Sequence, residues 1–389
     1  MKSVWMLGLR RYLDHNATSP MRASALDAYV RAARDLVGNP SSLHWAGREA
    51  RRALEDAREA IAACIHADPG SIVFTSGGTE SDNIAIQSVL HGCAPGKIVT
   101  SAIEHPAVLQ PLSRWDTREA NERGWQLVRV RPDSHGKVSA KEFIRHIDAS
   151  TRLVCIMWAN NESGVVQPVE EVVRHCRAMG VPVLVDAVQA LGKLPMNCLS
   201  MDADFVALSA HKIGGPRGVG ALVVRRGIKV RELAPGGGQE RKRRSGTENV
   251  AGIVAFAAAL READFSPYAC MRDAFEQALA EFIPDAVVFG RDTERVANTS
   301  LFSVPGLDGE TLLMQLDLAG FAVASGSACS SGKREPSHVL LAMGVRPELA
   351  RGAVRVSFGP GNASEDGLAL VQELRHIRQR LQAMAGMIP

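Results

Sequence analysis

The sequence predicts an α/β protein: a mostly parallel, seven-stranded sheet with flanking helices, joined to a smaller α+β domain. Seven short apolar runs carry the first part of this expectation, at 71–74, 97–100, 127–130, 153–158, 181–185, 205–208 and 220–224. Helix-length stretches separate most of them, for example at 82–90, 107–114, 140–147 and 168–179. Strands apolar on both faces, alternating with helices, are what a parallel layer covered on both sides requires. The pattern then changes near residue 260.

The first regular element is an amphipathic helix over 43–64, where Ala46, Ala50, Ala53, Leu54, Ala57, Ile61 and Cys64 recur at helical spacing. The strand–helix alternation follows from residue 71 to residue 224. Beyond it, 250–263 and 268–282 read as two helices, because Ser266-Pro267 would interrupt a single long one. Short strands at 286–289, 299–304 and 354–358 and a helical tail over 363–384 complete the chain. The expected division is a large domain, 17–258, and a small domain built from 1–16 and 259–389.

Composition limits the function. The chain's 389 residues exceed the ~100–200 of one domain, so two domains are expected. Hydrophobic residues at 46% and charged residues at 22% exclude a disordered, collagenous or coiled-coil chain. A net charge of +3 is too small to argue for nucleic acid. The basic run Arg241 to Arg244 reads as a solvated or dimer-facing loop. No run approaches the ~18 apolar residues of a membrane helix, and no signal segment is evident, so a cytoplasmic protein is expected. The seven cysteines are scattered, without Cys-x-x-Cys, which supports neither a disulfide framework nor a metal site.

Six places carry chemistry. Thr75-Ser76-Gly77-Gly78-Thr79-Glu80-Ser81 follows a strand and opens a helix, a setting suited to a phosphate, although a turn with a helix cap would explain it equally well. Asp186 ends the apolar strand Val183-Leu184-Val185 and is followed by Gln189, so its carboxylate either faces the ligand crevice or caps a helix. Lys212 comes just past the run 205–208, ahead of Gly214-Gly215-Pro216, where desolvation would make it an amine nucleophile or base. Together, a phosphate cradle, an acid for a ring nitrogen and a reactive lysine are the requirements of pyridoxal phosphate (PLP), and His105 adds a flat group that can stack on its ring. Cys329 sits among small residues in Ser325-Gly326-Ser327-Ala328-Cys329-Ser330-Ser331-Gly332, beside Lys333 and Arg334, as a reactive thiol would. Arg355, a cation within an apolar strand, suits a substrate carboxylate or a salt bridge.

These residues resemble the cysteine desulfurases of the NifS/IscS type, within the class V aminotransferase group. The likeness runs from Tyr12-Leu13-Asp14-His15-Asn16-Ala17-Thr18 through Glu104-His105, Asn160-Asn161-Glu162 and Ser209-Ala210-His211-Lys212 to Arg243-Arg244-Ser245-Gly246-Thr247-Glu248-Asn249 and the Cys329 loop. It implies the type I fold of PLP-dependent transferases and a reactive-cysteine loop at about 322–336 in the small domain. Lys212 would carry PLP, Asp186 would pair with its ring nitrogen, Gln189 would meet its phenolic oxygen and His105 would stack on it. Gly78, Thr79, Ser209 and His211 would hold the phosphate, joined by Thr247 from the partner subunit of a homodimer. Asn161 and Arg355 would bind the substrate carboxylate. The implied reaction converts L-cysteine to L-alanine and leaves a persulfide on Cys329, to be passed to a sulfur-acceptor protein such as a scaffold for iron–sulfur clusters or a thiolation enzyme. Selenocysteine lyase, another PLP-dependent β-lyase and a catalytically silent paralogue are the alternatives. Two residues depart from the pattern: Gly78 stands where alanine is usual, and Trp158 is a bulky residue expected to narrow the pocket.

Overall fold

The computed structural model describes residues 10–325 and 336–385. Its centre is a seven-stranded sheet in the order Ile72–Thr75, Gly220–Val224, Phe205–Ser209, Val183–Asp186, Thr151–Met157, Lys97–Ser101, Gln126–Val130. Every neighbouring pair is parallel except the two made by Gly220–Val224, which runs antiparallel to both neighbours. Chain length explains the exception. Ten residues separate Ser209 from Gly220, too few for the crossover of a dozen or more that a parallel return needs. The three strands at 183–186, 205–209 and 220–224 are buried along their whole length, as a layer covered on both faces demands.

Helices Trp45–Cys64 and Val250–Arg261 pack on one face together with Ala23–Asp35, which the sequence pattern did not reveal. Its fully buried positions are two alanines, Ala25 and Ala32, so its apolar stripe is faint. Helix Gly78–Leu90 covers the other face and begins four residues before the apolar pattern does, because its first turn is polar and borders the crevice.

A four-stranded antiparallel sheet, Ala324–Ser325, Ala353–Ser357, Thr299–Ser303, Val287–Phe289, stands beside the first. Helices Ala269–Phe282, Gly309–Leu318 and Ser364–Ala385 cover it around a separate core that includes Phe275, Phe302, Phe358 and Leu374. The N-terminal segment joins this core. Arg11–Tyr12 pairs in parallel with Phe321–Ala322, which buries Leu13 completely and sends residues 14–19 back toward the large sheet. No helix among the described residues is long and apolar enough to cross a membrane.

The segment after the large sheet is held by a buried ion pair. Arg58 donates two hydrogen bonds to Glu240 at 2.9 and 2.8 Å, and Glu240 also accepts the Phe74 N–H at 2.8 Å. Arg58 also lies 4.5 Å from the centre of the Phe74 ring. Glu240, Arg241 and Lys242 all have left-handed backbone, φ 46°, 59° and 62°, a conformation that costs free energy in residues with a side chain. The basic run is therefore only partly a solvated loop. Arg241 and Lys242 are exposed, but Arg243 donates to the Gly70 carbonyl and Arg244 pairs with Glu80 at 2.9 Å, tying the run to the first helix of the crevice. Replacing Glu240 with alanine leaves the buried Arg58 only the partly exposed Glu55 carboxylate at 3.2 Å as its ionic partner, so Glu240→Ala is expected to lower stability by about 3 kcal/mol, the low end for breaking a buried pair, in chemical denaturation. A loss below about 1 kcal/mol would show that the pair does not hold this segment.

Candidate active site

The carboxyl ends of the parallel strands open onto one crevice, where ligands bind in sheets of this kind. It encloses a cavity of about 320 Å³ lined by Gly78, Thr79, His105, Asn161, Asp186, Gln189, Ser209, His211, Lys212 and Arg355. They come from six separate turns or strand ends that local spacing alone does not bring together. Its volume falls in the ~300–1,000 Å³ range of small-molecule sites.

One end suits an anion. Gly77 precedes helix Gly78–Leu90 at φ 155°, a backbone angle open to glycine, and no side chain caps the helix. The N–H groups of Gly78 and Thr79 thus begin a thirteen-residue helix without intrahelical acceptors. Ser209 Oγ, buried beside them in the cavity wall, has no hydrogen-bond partner among the described residues. His211 contributes a ring anchored to Thr18 Oγ1 at 3.2 Å. A Cβ on Gly78 would lie 2.5 Å from Val188 Cγ2, so Val188 occupies the space that an alanine methyl would need.

Buried carboxyls lie at and next to the cavity floor. Asp186, at the end of its strand, accepts the Val188 N–H at 3.0 Å, and burial raises its pKa to about 6. Asp82 is fully buried in the cavity wall with Oδ1 unpartnered, and burial followed by the nearness of Asp186 holds its carboxyl far above the usual range. Glu104 accepts from Ser101 Oγ and from the Met157 N–H, and burial raises it to about 8. His105 uses Nδ1 to accept the Ala107 N–H at 3.1 Å, which leaves its proton on Nε2. Burial, then the nearby Lys212, lowers its pKa to about 4, so the ring is neutral at pH 7.

The opposite wall is cationic and is organised by Asn16. Lys212 Nζ donates to the carbonyls of Asn16 and Ala17 at 2.8 and 2.9 Å. Gln189 Nε2 donates to the same Asn16 carbonyl, while the Asn16 side chain accepts from Lys193 and donates to Thr299. Arg355 reaches in from the second sheet, donating to the Asn161 carbonyl at 2.8 Å and pairing with Asp14 at 2.7 Å. Arg355 Nε and Asn161 Oδ1 are buried without partners among the described residues.

Sequence reasoning placed ten residues in this cavity and missed Asp82 and Asn16, which also line it, and Lys193, which hydrogen-bonds to Gln189 and Asn16. Asp82 was detectable, since it lies four residues after Gly78 and so on the same helix face. Thr247 is exposed and is not part of its own chain's cavity. Cys329 and its loop lie outside the described residues. Trp158 does not narrow the pocket: Met157 and Ala159 line it, and strand alternation turns the Trp158 side chain to a separate groove beside Cys64 and Leu194.

The carboxyl cluster predicts a pH dependence. The unfolded chain releases the Glu104 proton near pH 4.5, whereas the folded chain keeps it to about 8, so ionisation favours unfolding across that interval. The thermal midpoint of the ligand-free protein should fall between about pH 5 and 8, and Glu104→Gln should flatten that fall. An unchanged slope in the variant would mean that Glu104 ionises freely.

With this geometry in place, the relationships are specific. The family model described as Aminotransferase class-V matches residues 11–370. The cysteine desulfurase of Nostoc sp. (strain PCC 7120 / SAG 25.82 / UTEX 2576) is 40% identical over 382 residues, spanning 96% of this chain and 94% of that protein. The cysteine desulfurase IscS of Dictyoglomus turgidum is 38% identical, with 96% of each chain covered. A solved NifS-like protein superposes with a TM-score of 0.87 at 35% identity, over 95% of this chain and all of its own. A structure titled SspA in complex with cysteine gives 0.80 at 30% identity, over 91% of this chain and all of its own. The chain belongs to the class V aminotransferase family, in its cysteine desulfurase group.

Proposed function

We propose that this chain is a PLP-dependent cysteine desulfurase that converts L-cysteine to L-alanine and carries the sulfur as a persulfide on Cys329. One observation carries the reading: an uncapped helix N-terminus, a buried carboxyl and the amine of Lys212 meet on a single cavity. These are the groups PLP needs for its phosphate, its ring nitrogen and its aldehyde. Gly78, Thr79, Ser209 and His211 would hold the phosphate, and the unpartnered Ser209 Oγ supports that assignment. Asp186 would face the ring nitrogen, Gln189 the phenolic oxygen and His105 the ring face. Thr247 of a second copy would complete the phosphate site in a homodimer.

When bound, PLP supplies an electron sink for negative charge at the substrate's Cα. The chain's own groups do the rest. Arg355, held by Asp14 and the Asn161 carbonyl, would receive the substrate carboxylate with Asn161, so no side chain has to be ordered at that moment. Lys212 would move the Cα proton, its Nζ kept in the crevice by two backbone carbonyls. His105 remains neutral and adds no charge against the ring.

The Cys329 thiolate would attack the substrate sulfur. A sulfur–sulfur bond forms as the carbon–sulfur bond breaks, and its electron pair stays on carbon, which takes up a proton. L-cysteine and an enzyme thiol thus become L-alanine and an enzyme persulfide. That persulfide is a reversible state from which an acceptor protein's thiol can take the sulfur.

The test is alanine formation from L-cysteine by the purified protein, with mass spectrometry for one added sulfur on Cys329. Lys212→Ala and Cys329→Ala should each lower alanine formation by at least about 100-fold. Undiminished turnover without Cys329 would replace the desulfurase by a simple β-lyase.

A further inference from the structure

A second lysine is buried beside the crevice. Lys193 is 7% exposed, and its Nζ donates to Gln189 Oε1 at 2.7 Å and to Asn16 Oδ1 at 2.6 Å. Both acceptors are uncharged amide oxygens. The remaining side of the amine faces the Phe265 ring, 5.4 Å from its centre. Burial, then the charges of Lys212 and Arg355, hold the amine well below the usual lysine range, and His15 is the other titratable group it influences. The geometry survives either protonation state, because a neutral amine still has two N–H groups, one for each oxygen.

The consequence falls on Gln189. A side-chain amide can present its oxygen or its nitrogen to a ligand, and the surrounding hydrogen bonds choose between them. Here the Lys193 amine donates to the oxygen, and a pure acceptor, the Asn16 carbonyl, claims one hydrogen of Nε2 at 3.0 Å. The second Nε2 hydrogen is what Gln189 has left for the cavity it lines. The amine also polarises that amide, which strengthens its remaining donor.

We propose that Lys193 is a positioning residue that fixes Gln189 as a hydrogen-bond donor to the phenolic oxygen of bound PLP and thereby lowers the basicity of that oxygen. The proposal rests on the cofactor assignment above. Losing Lys193 leaves the oxygen more basic, so the proton held next to it is bound more tightly and the cofactor's visible band titrates at higher pH.

The experiment is a pH titration of that band in the purified holoenzyme, for the native protein, Lys193→Met, Gln189→Ala and the double variant. Lys193→Met should raise the midpoint by about one pH unit, tenfold in proton affinity. Gln189→Ala should raise it similarly, and the double variant should go no further than the larger single change, since one residue acts through the other. An unmoved midpoint in Lys193→Met, or shifts that add in the double variant, would overturn the proposal. If Lys193→Met does not fold, Lys193→Leu, which also removes the donor, is titrated in its place and is expected to shift the midpoint in the same direction. A native protein with no visible band would instead overturn the cofactor assignment.

Discussion

Asn16 is the buried joint on which the crevice depends. Its backbone N–H donates to Ser357 and its side chain donates to Thr299, both on the second sheet. Its carbonyl accepts from Lys212 and Gln189, and its side-chain oxygen accepts from Lys193, all on loops that follow strands of the large sheet. One residue with 1% exposure thus couples the wall that carries Arg355 to the wall that carries Lys212. A buried polar group left unpaired costs about 1–3 kcal/mol, so this set of contacts favours a single relative placement of the two walls.

The electrostatics of the cavity follow from that closure. Three carboxyls, Asp82, Glu104 and Asp186, are buried along one side, and each is driven toward its protonated form by loss of water. Lys212, Lys193 and Arg355 stand on the other side, held by carbonyl and amide oxygens and by Asp14. The cavity thus brings together buried carboxyls, cationic donors and an open helix terminus. A planar, zwitterionic ring carrying a phosphate complements all three.

Much of this was legible in the sequence, and the limits have physical causes. Asp186, Ser209 and Lys212 could be placed because strands that end in polar residues deliver them to the carboxyl edge of a parallel sheet. Arg355 stood out as a charge in an apolar strand. Asn16 did not, because its partners Thr299 and Ser357 are nearly three hundred or more residues away and no local spacing encodes them. Lys193 is four residues from Gln189 in a turn, where periodicity gives no sign of burial. Trp158 was expected in the pocket because its bulk departs from the family pattern, whereas the two-residue alternation of its strand turns it away. Helix Ala23–Asp35 was hidden because alanine fills the positions where larger apolar residues would have marked it.

The central claim is that Lys212, and not its buried neighbour, is the amine that carries the cofactor. Reduction of the holoenzyme with borohydride fixes PLP to whichever lysine holds it, and peptide mass mapping then locates the adduct. The account predicts a single phosphopyridoxyl group on Lys212. An adduct on Lys193, or no adduct on a protein that displays the cofactor's visible band, would contradict it.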